Sequence, residues 1–300
     1  MPIVYRLARL QELEQTDELV VQSINDLTER HAFGRMAETS PPAFQQFSLN
    51  DDPTGLWVAE EGNQIIGFAF SWLCGDLWFL AQLFVAPGHQ GRGIGNELLS
   101  RTLRQAQAKE AVSKALITFT FNTVSQGLYI RHGLIPRFPI YFFSGPRDLI
   151  GRVGSTEMRS APISDTASDL LKLASIDGRA LGISREKHHR YLLGDGSTTG
   201  ILLYADGDPV GYAYFSQDGH IGPLAVTERD ALGAAFTTAL SFAARSSSAK
   251  EISAFLPGPC DTALRIALET GMRITFPMLL MSTREFGDWT RYLPRNPGFM

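Results

Sequence analysis

The chain has 300 residues, at the upper edge of what one hydrophobic core supports, so two domains of about 150 residues each are expected. Its 44% apolar and 19% charged residues exclude a disordered or fibrous class. A formal net charge of −4 without a run of Lys or Arg excludes an electrostatic footprint for nucleic acid or for an anionic membrane surface. From the N-terminus, Ile3 to Ala8 predicts a strand, and Leu13, Leu19, Ile24 and Leu27 predict a helix. Leu56 to Glu60, Ile65 to Cys74 and Leu77 to Val85 are apolar, β-branched and aromatic runs divided by Glu61-Gly62-Asn63 and Gly75-Asp76, which predicts consecutive antiparallel strands. Pro87-Gly88 ends the third run, and Ile94, Leu98, Leu99, Leu103 and Ala106 then fall at helical spacing. Ala115 to Phe121 predicts a strand, Ser125 to His132 a short helix, and Arg137 to Phe143 a closing strand.

Gly145-Pro146, Gly151 and Gly154-Ser155 give residues 144–160 a linker-like composition, placing the expected domains at 1–145 and 156–300. The second half predicts helices between Asp165 and Leu193, strands around Gly200 to Ala205 and Val210 to Phe215, a strand ending at Leu224-Ala225-Val226, and a helix from Glu228 to Ala244. It repeats the first half: Ser125, Leu128, Tyr129, Gly133 and Leu134 stand at the same offsets from Asn122 as Ala263, Ile266, Ala267, Gly271 and Met272 from Cys260. The expected fold class is α/β (α+β), two tandem domains, each a mixed, mostly antiparallel twisted sheet flanked by helices.

Gln90-Gly91-Arg92-Gly93-Ile94-Gly95 lies between a predicted strand and a predicted helix, where unpaired N–H groups at a helix start can receive phosphate. No Lys-Ser or Lys-Thr follows, and the preceding strands read as antiparallel, so neither a P-loop nor a Rossmann turn fits. With Val85-Ala86-Pro87 before it and Leu98-Leu99 after it, the segment resembles the acetyl-CoA signature of the GNAT N-acetyltransferase superfamily: Gln or Arg, two residues, Gly, one residue, Gly or Ala. Asn122, Ser125, Leu128, Tyr129, Gly133 and Leu134 resemble its second signature, with Ser and Leu replacing the usual Ala and Phe.

The resemblance implies that the backbone of Leu83, Phe84 and Val85 pairs with the pantetheine arm as an added strand, and that N–H groups from Gln90 to Gly95 take the pyrophosphate. Arg92 either adds charge there or is solvated. Asn122 would contact the arm or cap a helix, and Tyr129 would be the acid that serves the departing thiolate or a core residue. Relatives often carry a basic carboxylate on the strand before the turn. Here that stretch reads Leu80-Ala81-Gln82-Leu83, which leaves water, Glu38, Asp76 or the second half to accept the proton. Phe33, Phe44, Phe47 and Trp57 read as core rather than as a substrate cage. The adjacent His188-His189 reads as surface, and no metal is expected.

In the second half, Thr227-Glu228-Arg229-Asp230-Ala231-Leu232 has carboxylates and no glycines where phosphate would lie, and Cys260 and Ala267 replace Asn122 and Tyr129, the pattern of a degenerate copy. The expected function is acetyl transfer from acetyl-CoA to an amine, on an acceptor expected to be a small molecule. The alternative is a non-catalytic acyl-CoA or metabolite sensor. Two distant cysteines, Cys74 and Cys260, no apolar N-terminal leader and no apolar run of membrane-spanning length point to a cytoplasmic protein without a membrane partner.

Overall fold

The structure, a computed structural model, describes residues 2–150 and 158–300. Its contacts divide the chain into two units. The first holds residues through Ile117 with Phe121–Ile135 and Ser282–Arg284, and the second holds Thr118–Thr120, Pro136–Met281 and Glu285–Met300.

The first unit contains β1 (Val4–Leu7), α1 (Leu13–Arg30), α2 (Ala43–Asp51), β2 (Leu56–Glu61), β3 (Gln64–Cys74), β4 (Leu77–Val85), α3 (Ile94–Ala108), β5 (Ser113–Phe119, its last two residues in the other unit) and α4 (Thr123–Arg131). Its strand order is β1-β2-β3-β4-β5. The first four are antiparallel, for β2, β3 and β4 as the turn residues between the apolar runs predict, and β5 is parallel to β4. Both α1 and α3 pack on β3, which explains why that strand is an almost unbroken apolar run. Gly67 permits the close approach of α3: a Cβ there would lie 2.9 Å from Leu98 Cδ1 and 3.1 Å from Ile94 Cγ2. Burying Leu98 and Ile94 stabilises this contact by about 2 kcal/mol each. The sequence pattern does not announce α2, because its buried side chains are the polar Gln45 and Ser48 rather than an apolar stripe.

The second unit contains β6 (Ile135–Pro146, its first residue in the other unit), α5 (Arg147–Ile150), β7 (Arg159–Pro162), α6 (Ala167–Ala180), α7 (Glu186–Gly194), β8 (Thr198–Ala205), β9 (Asp208–Ser216), β10 (His220–Val226), α8 (Leu232–Ser246), β11 (Glu251–Pro257), α9 (Asp261–Glu269), β12 (Arg273–Ser282, its last residue in the other unit) and β13 (Tyr292–Leu293). The order is β12-β6-β11-β10-β9-β8-β7, with β13 paired to β10. Strand β6, which the sequence reading places at the end of the first half, pairs with β11 from Pro146↔Glu251 to Ile140↔Pro257. Leu232, Ala235, Phe236, Ala239, Leu240 and Ala243 form the buried stripe of α8 at ideal helical spacing and enter the core of this unit. Of the expected linker, Gly151 and Gly154-Ser155 lie outside the described residues.

Candidate functional site

Strand β4 pairs with β5 from Leu77↔Ser113 to Leu80↔Leu116, where the described ladder ends. On its other edge the register to β3 shifts between Leu80 and Gln82, leaving Ala81 as an extra residue. Such a bulge bends its strand and increases the local twist. Leu83, Phe84 and Val85 stay paired with Ala69, Phe68 and Gly67 of β3, while their opposite edge has no described ladder partner. A free strand edge is a row of main-chain donors and acceptors open to an extended ligand.

That edge leads into the glycine turn. Gly91 and Gly93 adopt φ values of +77° and +79°, and Gly93 is the N-cap of α3. Both positions demand glycine for conformation, not for space, since a Cβ at either would meet no atom within 4 Å. Gly93 has no side chain to cap the helix, so the first N–H groups of α3, beginning at Ile94, have no intrahelical partners. At Gly95 the two signatures meet: a Cβ there would stand 3.7 Å from both Val85 Cγ2 and Leu128 Cδ2. Gln90 Nε2 donates to the Val85 carbonyl at 3.1 Å, and Ser23 Oγ donates to the same oxygen at 3.4 Å. Arg92 is neither free nor simply solvated. It forms a bidentate pair with Glu61 at 2.8 and 2.9 Å, which lowers the Glu61 carboxyl below its ordinary pKa and raises that of the guanidinium.

Asn122 caps α4, its Oδ1 accepting the Ser125 N–H at 3.2 Å. Tyr129 is 5% exposed; burial pushes its phenol well above the ordinary value of 10, against a smaller opposing effect of the hydrogen bond to Ser125. The candidate bases stand apart. Asp76 occupies the exposed turn before β4, and the seven residues from it to Leu83 span roughly 23 Å at strand rise. Glu38 is exposed in the loop between α1 and α2. Gln82 Oε1 accepts from Gln45 Nε2 at 3.3 Å, and neither amide can take up a proton.

Three buried polar residues of α1 that the sequence reading does not single out hold that loop. Asn25 accepts from the Met36 and Ala37 N–H groups at 2.9 and 3.0 Å, Thr28 Oγ1 donates to the Gly34 carbonyl at 2.6 Å, and Asp17 accepts from the Ser40 N–H at 3.0 Å. Polar residues recurring at helical spacing among leucines are the signal that could have marked them. The aromatic residues do not form one cluster: Phe44 packs with Phe47 and Phe70, Phe33 stacks on Phe121, and Trp57 meets Arg101.

The second unit repeats the bulge and the splay. Strand β10 pairs with β11 only at His220↔Ser253 and Ile221↔Ala254, and its register to β9 shifts between Ile221 and Leu224. Here the edge is filled: β13 pairs Leu293 with Leu224 and Tyr292 with Ala225, and Arg291 adds a hydrogen bond from its Nη1 to the Thr227 carbonyl at 2.9 Å. Cys260 donates its thiol to the Trp289 carbonyl at 2.7 Å. The expectation of surface histidines is corrected here. His188 and His189 are both 1% exposed, and His189 bonds Asp177 and Tyr214 at 3.0 Å each. Burial would raise the Asp177 carboxyl, but Arg185 and His189 beside it hold it well below the usual carboxylate range. The two histidines of α7 face the buried side of the helix, while Glu186 and Arg190 pair at 3.1 Å on its solvated side. Among the described residues no cluster of three His, Cys, Asp or Glu is arranged for a metal ion, and no helix is long and apolar enough to cross a membrane.

Residues 20–134 match the profile of the Acetyltransferase (GNAT) family. A candidate acetyltransferase from Pyrococcus horikoshii has the same fold, with a TM-score of 0.77 at 15% identity over 99% of this chain and 96% of its own. A GCN5-related N-acetyltransferase from Sphaerobacter thermophilus aligns with a TM-score of 0.64 at 14% identity, covering 96% of this chain and 98% of its own. A tandem GNAT protein from the clavulanic acid biosynthesis pathway aligns with a TM-score of 0.60 at 13% identity, covering 94% and 98%. At such identities the likeness is one of fold, and it extends over both units.

Proposed function

From the premise that residues 20–134 form a GNAT acetyltransferase domain, we propose that the first unit transfers the acetyl group of acetyl-CoA to an amine. The observation that carries this reading is the edge of Leu83, Phe84 and Val85 that has no strand partner among the described residues and runs into the open glycine turn at the start of α3. The residues fit the cosubstrate. The edge suits the amide-bearing pantetheine arm, and the N–H groups from Gln90 to Gly95, aligned with the positive end of α3, suit the pyrophosphate. Asn122 acts at this site chiefly by fixing the first turn of α4 and so the position of Tyr129. Arg92 stays with Glu61 and contributes little to phosphate.

In the reaction the amine nitrogen attacks the thioester carbonyl carbon, the carbon–sulfur bond breaks, and the proton lost from nitrogen balances the one gained by sulfur. With its pKa raised by burial, the Tyr129 phenol is protonated throughout the physiological range and serves as donor to the departing thiolate. Since a thiol lies near pKa 8.5, a full proton transfer from a phenol above 10 runs uphill by about 2 kcal/mol or more, so its contribution is greatest as a hydrogen bond in the transition state. The nitrogen proton leaves through water, since Gln82 cannot accept it and Asp76 stands at the far end of β4. The acceptor is a small amine.

The second unit is a copy that has lost acetyl-CoA binding: β13 lies where the arm would lie, and Glu228 and Asp230 stand where phosphate would need donors. Acetyl-CoA is then bound by the first unit alone, in a reducing compartment such as the cytoplasm, which suits a chain with only two cysteines, Cys74 and Cys260, both buried. Isothermal calorimetry with acetyl-CoA tests both halves of the reading. One site per chain is the expected result. No binding would overturn the assignment to the first unit, and two sites would overturn the loss of binding in the second.

A further inference from the structure

The second unit has a cavity of about 520 Å³ at the starts of β10 and β11, away from the end of β10 that β13 covers. Its size is that of a small-molecule site. Phe142 of β6 and Phe255 of β11, with ring centroids 4.8 Å apart, supply an apolar wall, and Phe142 also stacks on His220. The C-terminal segment brings in Arg295. The backbone of that segment lies so close to Gly222 that a Cβ there would be 2.8 Å from Arg295 Cα, which seats the arginine against the cavity.

Arg295 is half-buried, and its guanidinium bonds only neutral acceptors, the Gly222 carbonyl at 3.0 Å and Thr198 Oγ1 at 3.2 Å. Among the described residues no carboxylate forms an ion pair with it, and burial pulls its pKa down although Asp195, Tyr191 and Asp218 act in the opposite sense. A partly desolvated cation with unused N–H donors facing a cavity is stabilised by an anion that completes its hydrogen bonds. His220 does not compete for that anion. Its Nε2–H donates to the Arg295 carbonyl and burial lowers its pKa to about 4, so near neutral pH the ring is uncharged and Nδ1 accepts from Ser253 Oγ at 2.9 Å. At the rim, Asp218 accepts from Ser216 and adds a negative charge that disfavours polyanions.

We propose that this cavity binds a small monocarboxylate with a flat apolar body, its carboxylate on Arg295 and its body against Phe142 and Phe255. The site stands on residues of the second unit and is independent of acetyl transfer in the first.

The test uses the full chain and calorimetric titration with benzoate and phenylacetate, beside benzyl alcohol as the neutral counterpart. The expected result is saturable binding of at least one of the two carboxylates at or below millimolar concentration, and none of the alcohol. Arg295→Gln should weaken that binding at least tenfold while acetyl-CoA binding in the first unit stays unchanged. A second variant, Asn296→Asp, guards against misfolding. Asn296 is exposed beside the cavity and uses Oδ1 to accept from the Gly298 and Phe299 N–H groups, a role that Asp preserves. The added negative charge should weaken carboxylate binding severalfold, more at low salt than at high. Absence of binding by both carboxylates, equal binding of benzyl alcohol, or binding that neither variant alters would each overturn the proposal.

Discussion

Replacing Gly93 by Ala puts a Cβ on the one residue that both begins α3 and turns the glycine loop. The backbone sits at φ +79°, where an L-residue costs about 1–2 kcal/mol, and a Cβ would meet nothing within 4 Å, so no steric cost adds to it. If the left-handed conformation persists, the first unit loses that much stability, a factor of about 5–30 in its folding equilibrium. If it relaxes to negative φ, the N–H groups after it change direction and the phosphate loses its donors. We expect both routes to be used in part: urea denaturation should show a loss of about 1 kcal/mol, and calorimetry a loss of acetyl-CoA affinity of about tenfold. Gly88→Ala is the matched control, because Gly88 is equally open yet lies outside the left-handed region. Wild-type stability together with wild-type affinity in Gly93→Ala, or equal losses in both variants, would refute the reasoning.

Tyr129→Phe should lower kcat by about a hundredfold and leave the calorimetric affinity for acetyl-CoA intact. Because burial raises the phenol above 10, steady-state rates of the wild type should show no loss from its ionisation up to pH 10. Asn122→Ala removes the cap of α4 and should cost about 1 kcal/mol in chemical denaturation. In the second unit, burial lowers the His220 pKa to about 4, against about 6.5 in the unfolded chain, so the unfolded state takes up the proton first. The stability that depends on its neutral form is complete above pH 6.5 and falls as the pH drops towards 4; urea melts at pH 7 and pH 5 should differ less in His220→Gln than in the wild type. Asp177→Asn leaves Arg185 buried without its carboxylate and should destabilise that unit by about 3–5 kcal/mol, read by the same melts.

The parts of the fold that were legible in the sequence are those with strong periodicity or strong punctuation. The three antiparallel strands from Leu56 to Val85 and the stripe of α8 follow directly from apolar patterning. The glycine turn could be placed between strand and helix because both neighbours were clear. What escaped was long-range. Nothing local to Leu224 and Ala225 says that Tyr292 and Leu293 return to cover them, and nothing near Arg92 points to Glu61, thirty-one positions away. Helix α2 and the α7 histidines misled for the same reason, since their buried side chains are polar and their partners come from distant elements. Asn25, which organises the loop at Met36 and Ala37, looks from sequence like any polar residue on an amphipathic helix.

Turnover of acetyl-CoA by the first unit is the activity on which every proposed role of Tyr129 depends. Release of the free CoA thiol, followed colorimetrically with acetyl-CoA and a panel of small primary amines, should show amine-dependent turnover that Tyr129→Phe reduces by about two orders of magnitude. Saturable binding of acetyl-CoA with no thiol release for any amine, or release that Tyr129→Phe leaves unchanged, would contradict it.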